Sequence, residues 1–319
     1  MANIITPAQS LQLLVEEEVA SLQLTDYPMV SRLAKKNTSQ QVIKWNANSG
    51  GATAVSESTG ADVTTFSDDD YIAAILNIGN IRIRSAFLQQ KEDVAQAKVA
   101  GKGALRDLFA SDINSAIRSI MEKLSNYIYT GVGDNTTGGI VGLVTAAAAT
   151  GAYAGLDPAT YPAWASHVST NGTNRALTAA LLYDMEVAIL RKGGRFTAIY
   201  TTPEIASKYK QVFAANLSIT NQLPAGQADL GYTGLTFAGR PIIQDRFCPA
   251  NTMYFVDESE VYLYGFAQSN TQSRQGLPIS IEELAKTNPD ADKYSVSLKA
   301  QLQLRNRAKG VAVLSAITQ

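Results

Sequence analysis

The longest helical pattern in the sequence runs from Leu105 to Tyr129 and contains neither proline nor glycine. Its apolar residues recur at the three- and four-residue spacing of an amphipathic helix. They are Leu105, Leu108, Phe109, Ile113, Ala116, Ile117, Ile120, Met121, Leu124 and Ile128. Polar residues occupy the opposite face: Asp107, Ser111, Asn114, Arg118, Glu122 and Ser125. Such a helix would span roughly 37 Å. We therefore predict one long helix with a buried face, preceded by Gly101 and Gly103 and ended by Gly131 and Gly133.

The charge content suggests that this helix belongs to an assembling protein. Charged residues make up 17% of the 319 residues, against about 25% in an average soluble domain. Because the cores of protein interfaces are depleted of charge, we expect other subunits to cover much of the surface. A net charge of −1 without a dense Lys/Arg cluster excludes a strongly basic nucleic-acid binder.

The chain has one cysteine, Cys248, which excludes an internal disulfide and a multi-cysteine zinc site. The first 31 residues contain no lysine or arginine and include Glu16, Glu17 and Glu18, so we expect no secretory signal and a cytoplasm-like compartment. The longest uncharged stretch, Asn135 to Leu156, is too polar to span a membrane.

The N-terminal region predicts a short helix followed by an arm. Thr6, Pro7 and Gln9 are typical of a helix start. The apolar residues that follow at helical spacing are Leu11, Leu14, Val15, Val19 and Leu22. The stretch from Thr25 to Gln40 is polar and contains Pro28, which predicts irregular structure.

The next region predicts a long two-stranded loop. Gln41 to Asn46 alternates as a strand does, and Val63 to Phe66 is the predicted return strand. Between them, Asn48 to Asp62 is rich in Gly, Ser, Thr and Ala and exceeds normal hairpin lengths, so we expect it to be either disordered in isolation or held by a neighbour. Tyr71 to Leu88 then predicts a strand that enters the main body.

After the long helix, the glycine-rich stretch Gly131 to Gly139 is not a phosphate loop, because a helix precedes it and no Lys-Ser/Thr pair closes it. Two helices are predicted, Leu177 to Leu190 and Thr202 to Phe213, with a buried strand between them at Thr197 to Thr201. This order predicts a helix-strand-helix block.

The C-terminal third predicts short strands. We expect the first four to form one antiparallel sheet: Leu235 to Phe237, Pro241 to Gln244, Met253 to Val256 and Val261 to Tyr264. Val296 to Leu304 alternates clearly, with Ser297, Lys299, Gln301 and Gln303 on one side. Together with Val311 to Ile317 it predicts a long terminal hairpin.

No catalytic, cofactor-binding or metal-ligating residue is assigned. His167 and Cys248 lie in no nucleophile motif. Two acidic groups lack calcium-loop spacing, so we interpret them as solvated turns. They are Asp68, Asp69 and Asp70, and Asp290 with Asp292. Asp257 and Glu258 are paired carboxylates without a recognisable environment for acid-base chemistry. The weakest alternative is a metal-dependent hydrolase that uses Asp68 to Asp70.

The order of these elements, with several local sequences, resembles tailed-phage major capsid proteins of the Hong Kong 97 type. The segments that carry the resemblance are Tyr153, Gly155, Leu156, Asp157, Tyr161, Pro162 and Trp164; Tyr200 to Pro203; Leu235 to Asp245, followed by Asn251 to Asp257; and Gln301 to Ala308 with Arg305 and Arg307. Each motif is weak alone, and the specificity comes from their order across most of the chain.

The resemblance implies an α+β capsid fold. It assigns an N-terminal arm (1–40), an extended loop (41–84), a peripheral domain with the long spine helix (85–138 and 284–319) and an axial domain with a mainly antiparallel sheet (139–283). It implies a structural protein, not an enzyme, whose hexamers and pentamers form an icosahedral phage head around double-stranded DNA. The alternative is an encapsulin-like compartment.

The implied partners are other copies of the chain, portal, scaffolding and decoration proteins, and DNA contacted without specificity, with no membrane. The implied location is the virion, after assembly in the host cytoplasm. Because no long scaffolding segment precedes the arm, we expect a separate scaffold protein or an already mature chain.

Some relatives join neighbours covalently through a loop lysine, but Lys44 is the only lysine of this loop and lies near its base. We therefore expect no such cross-link.

Overall fold

The computed structural model describes residues 27–48, 54–56, 58–60, 62, 66, 71–78, 81–134, 138–213, 235–268, 271–274, 276–285 and 290–318. The helix predicted after Thr6 lies outside these residues, as does most of the return strand predicted at Val63 to Phe66. Of that strand only Phe66 is described, and it is not in a strand.

The described residues contain seven α-helices and one 3-10 helix, Pro162–Trp164. The α-helices are α1 (Pro28–Arg32), α2 (Lys91–Ala100), α3 (Lys102–Thr130), α4 (Leu143–Ala146), α5 (Ala179–Arg191), α6 (Pro203–Phe213) and α7 (Arg307–Gly310). The predicted long helix is confirmed as α3, which is 29 residues long. It begins at Lys102, so the prediction that Gly103 precedes the helix is wrong. The predicted helices of the central block are confirmed as α5 and α6, each within two residues of its expected ends.

Helix α3 ends where the glycines predict. A Cβ atom on Gly131 would lie 2.3 Å from the carbonyl oxygen of Ile140, so only glycine fits where the chain turns back. The helix buries the expected face, with Ile120, Met121 and Leu124 at most 1% exposed. The prediction that Ser125 lies on the exposed face is wrong. It is 3% exposed, because the body surrounds this end of the helix, and its hydroxyl donates to the carbonyl of Met121 at 2.8 Å.

The predicted irregular arm is wrong for residues 28–38, which form α1 and a strand, β1 (Ala34–Thr38). Met29, Val30 and Leu33 are at most 2% exposed and belong to the main core. Pro28 begins the helix instead of breaking it, because a first-turn proline loses no intrahelical hydrogen bond.

The remaining strands follow in chain order. They are β2 (Val42–Asn48), β3 (Tyr71–Asn77), β4 (Ile83–Gln90), β5 (Val132–Asp134), β6 (Gly138–Val141), β7 (His167–Ser169), β8 (Ala198–Thr201), β9 (Thr236–Phe237), β10 (Arg240–Gln244), β11 (Met253–Val256), β12 (Val261–Phe266), β13 (Thr271–Arg274), β14 (Leu277–Leu284), β15 (Ala291–Leu298), β16 (Ala300–Leu304) and β17 (Val311–Leu314). The single strand predicted from Tyr71 to Leu88 is therefore two strands, β3 and β4, in different sheets.

The strands form five sheets. The largest has the order β7-β17-β11-β8-β10-β9, another has β13-β14-β15-β4, and a third has β1-β12-β16. The pairs β2-β3 and β5-β6 are two-stranded. The prediction of one antiparallel sheet from the C-terminal strands is wrong on two counts. Strand β10 pairs parallel to β8, because helix α6 lies between them as a crossover. Strand β12 leaves this sheet and pairs with β1 and β16.

The predicted terminal hairpin is also wrong. The alternating stretch divides at Lys299 into β15, which pairs with β14 and β4, and β16, which pairs with β12. Strand β17 instead pairs with β11 and β7. The alternation of polar and apolar residues showed that this stretch has two faces, but it did not show which strands pair with it. Both faces are buried in the structure. Ser297, Gln301 and Gln303 are at most 4% exposed.

Two apolar cores stabilise the body. The larger contains α3, the hairpin base and the inner faces of the β1-β12-β16 and β13-β14-β15-β4 sheets. The smaller lies between the six-stranded sheet and helices α5 and α6.

Candidate assembly surfaces

Strands β2 and β3 form a hairpin that the body holds at its base. Their register runs from Val42 opposite Asn77 to Asn48 opposite Tyr71. The indole nitrogen of Trp45 donates to the carbonyl of Arg305 at 3.0 Å, and the Ile75 amide donates to the carbonyl of Ala154 at 2.9 Å. These two bonds fix the direction in which the hairpin leaves the body.

The hairpin becomes exposed away from this base. Ile43, Ala74 and Leu76 are buried in the larger core. Tyr71, at the far end of the ladder, is 68% exposed, and Phe66 beyond it is 85% exposed. All the described residues between the two strands (54–56, 58–60, 62 and 66) are exposed. The described body does not cover these apolar side chains, so this end is suited to contact another chain.

A groove lies where the hairpin meets the body and encloses about 950 Å³. Its apolar wall includes Tyr161, Pro162 and Trp164. The full lining is Asn46, Ala47, Asn48, Ile72, Leu156, Thr160, Tyr161, Pro162, Ala163, Trp164, Lys192, Glu260, Arg305, Asn306, Ala308 and Lys309. Three of these residues are basic and one is acidic, so the groove has a net charge of about +2 at neutral pH.

Helix α5 is apolar on two faces. Leu182, Met185 and Ile189 are buried against the six-stranded sheet. The exposed apolar side chains are Tyr183, Val187 and Leu190, which are 57%, 45% and 61% exposed and recur at helical spacing. A helix in a monomer normally presents polar residues on its outer face, so this face is a second candidate contact surface.

The paired carboxylates Asp257 and Glu258 are bound by arginines. Glu258 accepts hydrogen bonds from Arg32 at 2.7 and 2.9 Å and from the hydroxyl of Tyr200 at 2.6 Å. Asp257 accepts from Arg195 at 3.0 Å. Burial raises the pKa of Glu258, but the hydrogen bonds from Arg32 and Tyr200 outweigh it and leave the pKa below its ordinary value. A carboxylate held this way stabilises the fold and is not poised to donate a proton.

His167 and Cys248 are not brought together as a catalytic pair. Cys248 is 5% exposed, and burial, with the nearby Asp245 carboxylate, raises the pKa of its thiol. Burial, together with the charge of Lys192, lowers the pKa of His167. Within the described ranges, no hydrogen bond joins the side chains of these two residues. A protonated, buried thiol is a poor nucleophile.

The predicted acidic clusters give no metal centre in the described part of the chain. Asp68 to Asp70 lie outside it, and the described residues contain no group of three or more His, Cys, Asp or Glu side chains placed to hold a metal ion.

The described helices include none that is both long and apolar enough to cross a membrane.

Gln301 and Arg307, to which no role was assigned from the sequence, are buried polar residues, and Gln301 connects the hairpin base to the body. Gln301 accepts from the Val141 amide at 2.9 Å and donates to the carbonyl of Asn77 at 3.0 Å. Arg307 is fully buried, and its guanidinium donates to the carbonyls of Thr145, Thr150 and Gly151. Neither residue stood out in the sequence, because Gln301 continues an alternating polar face and Arg307 lies among Arg305, Asn306 and Lys309.

Known proteins share this architecture. A model of the family described as "SU10 major capsid protein" matches residues 5–318. Among solved structures, the chain is similar to one from the capsid asymmetric unit of cyanophage A-1(L), with 26% identity, a TM-score of 0.78, and coverage of 95% of this chain and 96% of that one.

Two further structures share the fold at lower identity. The SrpI encapsulin from Synechococcus elongatus PCC 7942 has 15% identity and a TM-score of 0.61, with coverage of 97% and 96%. A chain of Mycobacterium phage Adephagia has 11% identity and a TM-score of 0.60, with 96% of each chain covered. A search of curated protein sequences found no match.

Proposed function

The chain belongs to the SU10 major capsid protein family, and from this premise we propose how its copies form a shell. It is a capsid protein with a Hong Kong 97 type fold. In our proposal, copies assemble into hexamers and pentamers, which together close an icosahedral tailed-phage head around double-stranded DNA.

The exposed hairpin is the observation that carries this proposal. Within the described residues β2 and β3 form a two-stranded sheet, whose projecting end has exposed apolar side chains and whose base is fixed to the body. Placed across an adjacent copy, the edges gain hydrogen bonds and Phe66 and Tyr71 lose contact with water. The donating and receiving surfaces differ, so the contact is heterologous and can close into rings.

The proposed domains follow the expected division: arm 1–40, loop 41–84, peripheral domain 85–138 with 284–319, and axial domain 139–283. Five of the six strands in the largest sheet come from 139–283, which supports a separate axial unit. Strand β17 also joins that sheet, so the C-terminal segment would contribute to both units. Residues 28–38 of the proposed arm pack into the body.

We propose a purely structural role without catalysis. The arginine partners of Asp257 and Glu258 and the buried position of Cys248 support it. The net charge of −1 supports a loose, non-specific contact with packaged DNA. Portal, scaffolding and decoration proteins would be the other partners, and assembly would take place in the host cytoplasm.

Replacing residues 49–70 with an Asn-Gly turn tests the proposal. Asn48 and Tyr71 face each other across the ladder, so a two-residue turn can join them without disturbing the base. We expect a folded subunit with an unchanged circular dichroism spectrum but no closed shells in electron micrographs. Closed shells from this variant would refute the role of the loop, and a matched variant with a Gly/Ser linker of equal length separates loop length from loop chemistry.

The shared fold of the SrpI encapsulin favours one second candidate, a compartment that encloses protein cargo instead of a genome. The contents of purified particles distinguish the two functions. We expect DNA that is protected from added nuclease, whereas particles that contain a co-purifying enzyme and no protected DNA would favour the compartment.

A further inference from the structure

Asn171 is the one asparagine of the sequence that a glycine follows. It lies in the loop between β7 and α5, where residues 171–174 are all exposed. Gly172 has no side chain to shield its peptide nitrogen, and a Cβ atom placed on it would meet no atom within 4 Å beyond its chain neighbours. The peptide bond after Asn171 is therefore open to solvent and unobstructed on both sides.

The side chain of Asn171 bends over the peptide that follows it. Its Nδ2 donates to the carbonyl of Thr173 at 3.1 Å, two residues further along the chain. The backbone amide of Gly172 forms no hydrogen bond with any described residue. Its nitrogen is therefore free to lose its proton and to approach Cγ of Asn171, because no backbone or side-chain partner has to be released first.

The other asparagines among the described residues are held more firmly. Asn306 caps α7, with its Oδ1 accepting from a backbone amide of that helix at 3.2 Å. The amide that follows Asn174, that of Arg175, donates to the carbonyl of Ala316 at 2.8 Å. Asn251 lies in a turn and precedes a buried threonine. Regular structure restricts the backbone rotation of the rest, which are Asn37, Asn46, Asn48, Asn77, Asn114 and Asn126.

We propose that Asn171 is a site of spontaneous deamidation, a covalent modification to which asparagine is prone. The Gly172 nitrogen forms a bond to Cγ of Asn171, and the side-chain nitrogen leaves as ammonia, which carries away the proton of the Gly172 amide. The product is a five-membered cyclic imide. Water then opens the ring at either carbonyl and gives aspartate or isoaspartate. One water is consumed and one ammonia is released, so the reaction needs no oxidant, reductant or enzyme.

The fold can accommodate the product. Strand β7 ends at Ser169, and the next backbone pairing is at Arg175, whose carbonyl accepts from the Thr318 amide at 2.9 Å. Isoaspartate lengthens the backbone at residue 171, between these two fixed points, so no described backbone hydrogen bond is lost. Each converted chain gains one carboxylate, and its net charge changes from −1 to −2 at neutral pH. The surface charge of the protein therefore changes with age while its fold is retained.

Peptide mass spectrometry of the aged, folded full chain tests the proposal. We expect the peptide that contains Asn171 to gain about 1 Da, since an amide becomes an acid. The gain should be faster at mildly alkaline than at mildly acidic pH, because the attacking nitrogen must lose its proton. A methyltransferase specific for isoaspartate should label the same peptide. No mass gain at Asn171, or a gain no faster than at Asn174, would overturn the proposal.

Two variants test the chemistry at the site itself. Gly172→Ala should slow the reaction about tenfold, because a side chain hinders the approach of the backbone nitrogen. An unchanged rate in this variant would exclude attack by that nitrogen. Asn171→Asp has the charge of the product, so the aged unsubstituted chain should acquire a band at the position of this variant in isoelectric focusing. Failure of that band to appear would also count against the proposal.

A third variant separates the structure from the dipeptide. Ser115→Gly places a glycine after Asn114, which is exposed as Asn171 is but lies within α3. Helical hydrogen bonding holds its backbone, so Asn114 in this variant should deamidate at least about tenfold more slowly than Asn171. A circular dichroism spectrum equal to that of the unsubstituted chain shows that α3 is retained. Equal rates at the two positions would mean that the open loop does not select Asn171.

Discussion

The six-stranded sheet and the β2-β3 hairpin use the same backbone hydrogen bonding but differ in what covers their side chains. Every residue of β8, β11 and β17 is buried. In β2 and β3, buried residues are a minority and lie toward the base. Because most of the stability of a sheet comes from buried side chains, the sheet stabilises the subunit itself. The hairpin contributes much less to the stability of an isolated subunit than the six-stranded sheet does, because few of its side chains are buried.

This difference matches the two tasks of a shell subunit. In the assembly that we propose, the body keeps its shape in every position of the shell, whereas the hairpin binds to another copy. Elements that move or bind late generally have few buried apolar contacts. The experiments below test the contrast, beginning with the largest expected effect.

Matched isoleucine truncations test the difference in stability directly. Ile199 in β8 is fully buried, so Ile199→Ala should cost about 2–5 kcal/mol of the free energy of unfolding. Ile72 in β3 is half-buried, so Ile72→Ala should cost about 1 kcal/mol or less. Urea unfolding of both variants measures the difference, and equal losses would mean that the hairpin is as much a part of the subunit core as the sheet.

A pH series tests how the chain that leads into the hairpin is fixed to the body. Glu258 binds Arg32, and its pKa in the folded chain lies below the ordinary value of 4.5. The ion pair therefore stabilises the folded state above that pH, and its contribution is lost as the pH falls through the lower, folded value.

We expect Glu258→Gln to cost up to about 1 kcal/mol at neutral pH, because the pair is partly exposed. Thermal melting should show this loss at pH 7 and little difference from the unsubstituted chain near pH 3. Glu186→Gln is the matched control, since Glu186 lies in the middle of α5, away from the helix ends, and forms no ion pair with a described residue. If Glu258→Gln lowered the stability equally at pH 3 and pH 7, the packing of this side chain, and not its charge, would be what stabilises the folded state.

The smallest expected effect concerns Lys44, an exposed residue of β2. If neighbours are held by non-covalent contacts alone, shells of the unsubstituted chain and of Lys44→Arg should both dissolve to single chains in hot detergent. Denaturing gels measure this. A ladder of cross-linked chains that disappears in Lys44→Arg would show that the hairpin is joined covalently to its neighbour.

Sequence reasoning was most successful where one element could be interpreted from its own residues. The C-terminal ends of α3 and α5 follow from the glycines after them, the start of α6 follows from Pro203, and the buried face of α3 follows from apolar spacing. The order of elements was sufficient to predict the Hong Kong 97 type fold and the capsid function, which the family match and the structural neighbours confirm. The groove was not predicted, because its lining comes from segments far apart in the chain.

The sequence by itself determined helices α3, α5 and α6 and every strand of the six-stranded sheet except β7, because helix and strand periodicity and end signals are local properties of the side chains. Only the tertiary structure decided that β1 lies beside β12, that β17 leaves β16 for β11, and that Ser125 is buried. Strand pairing joins backbone groups that are nearly identical at every residue, so the partner is set by the packing of the whole body. For the same reason, a strand of another copy of the chain can form backbone hydrogen bonds with the edges of the hairpin.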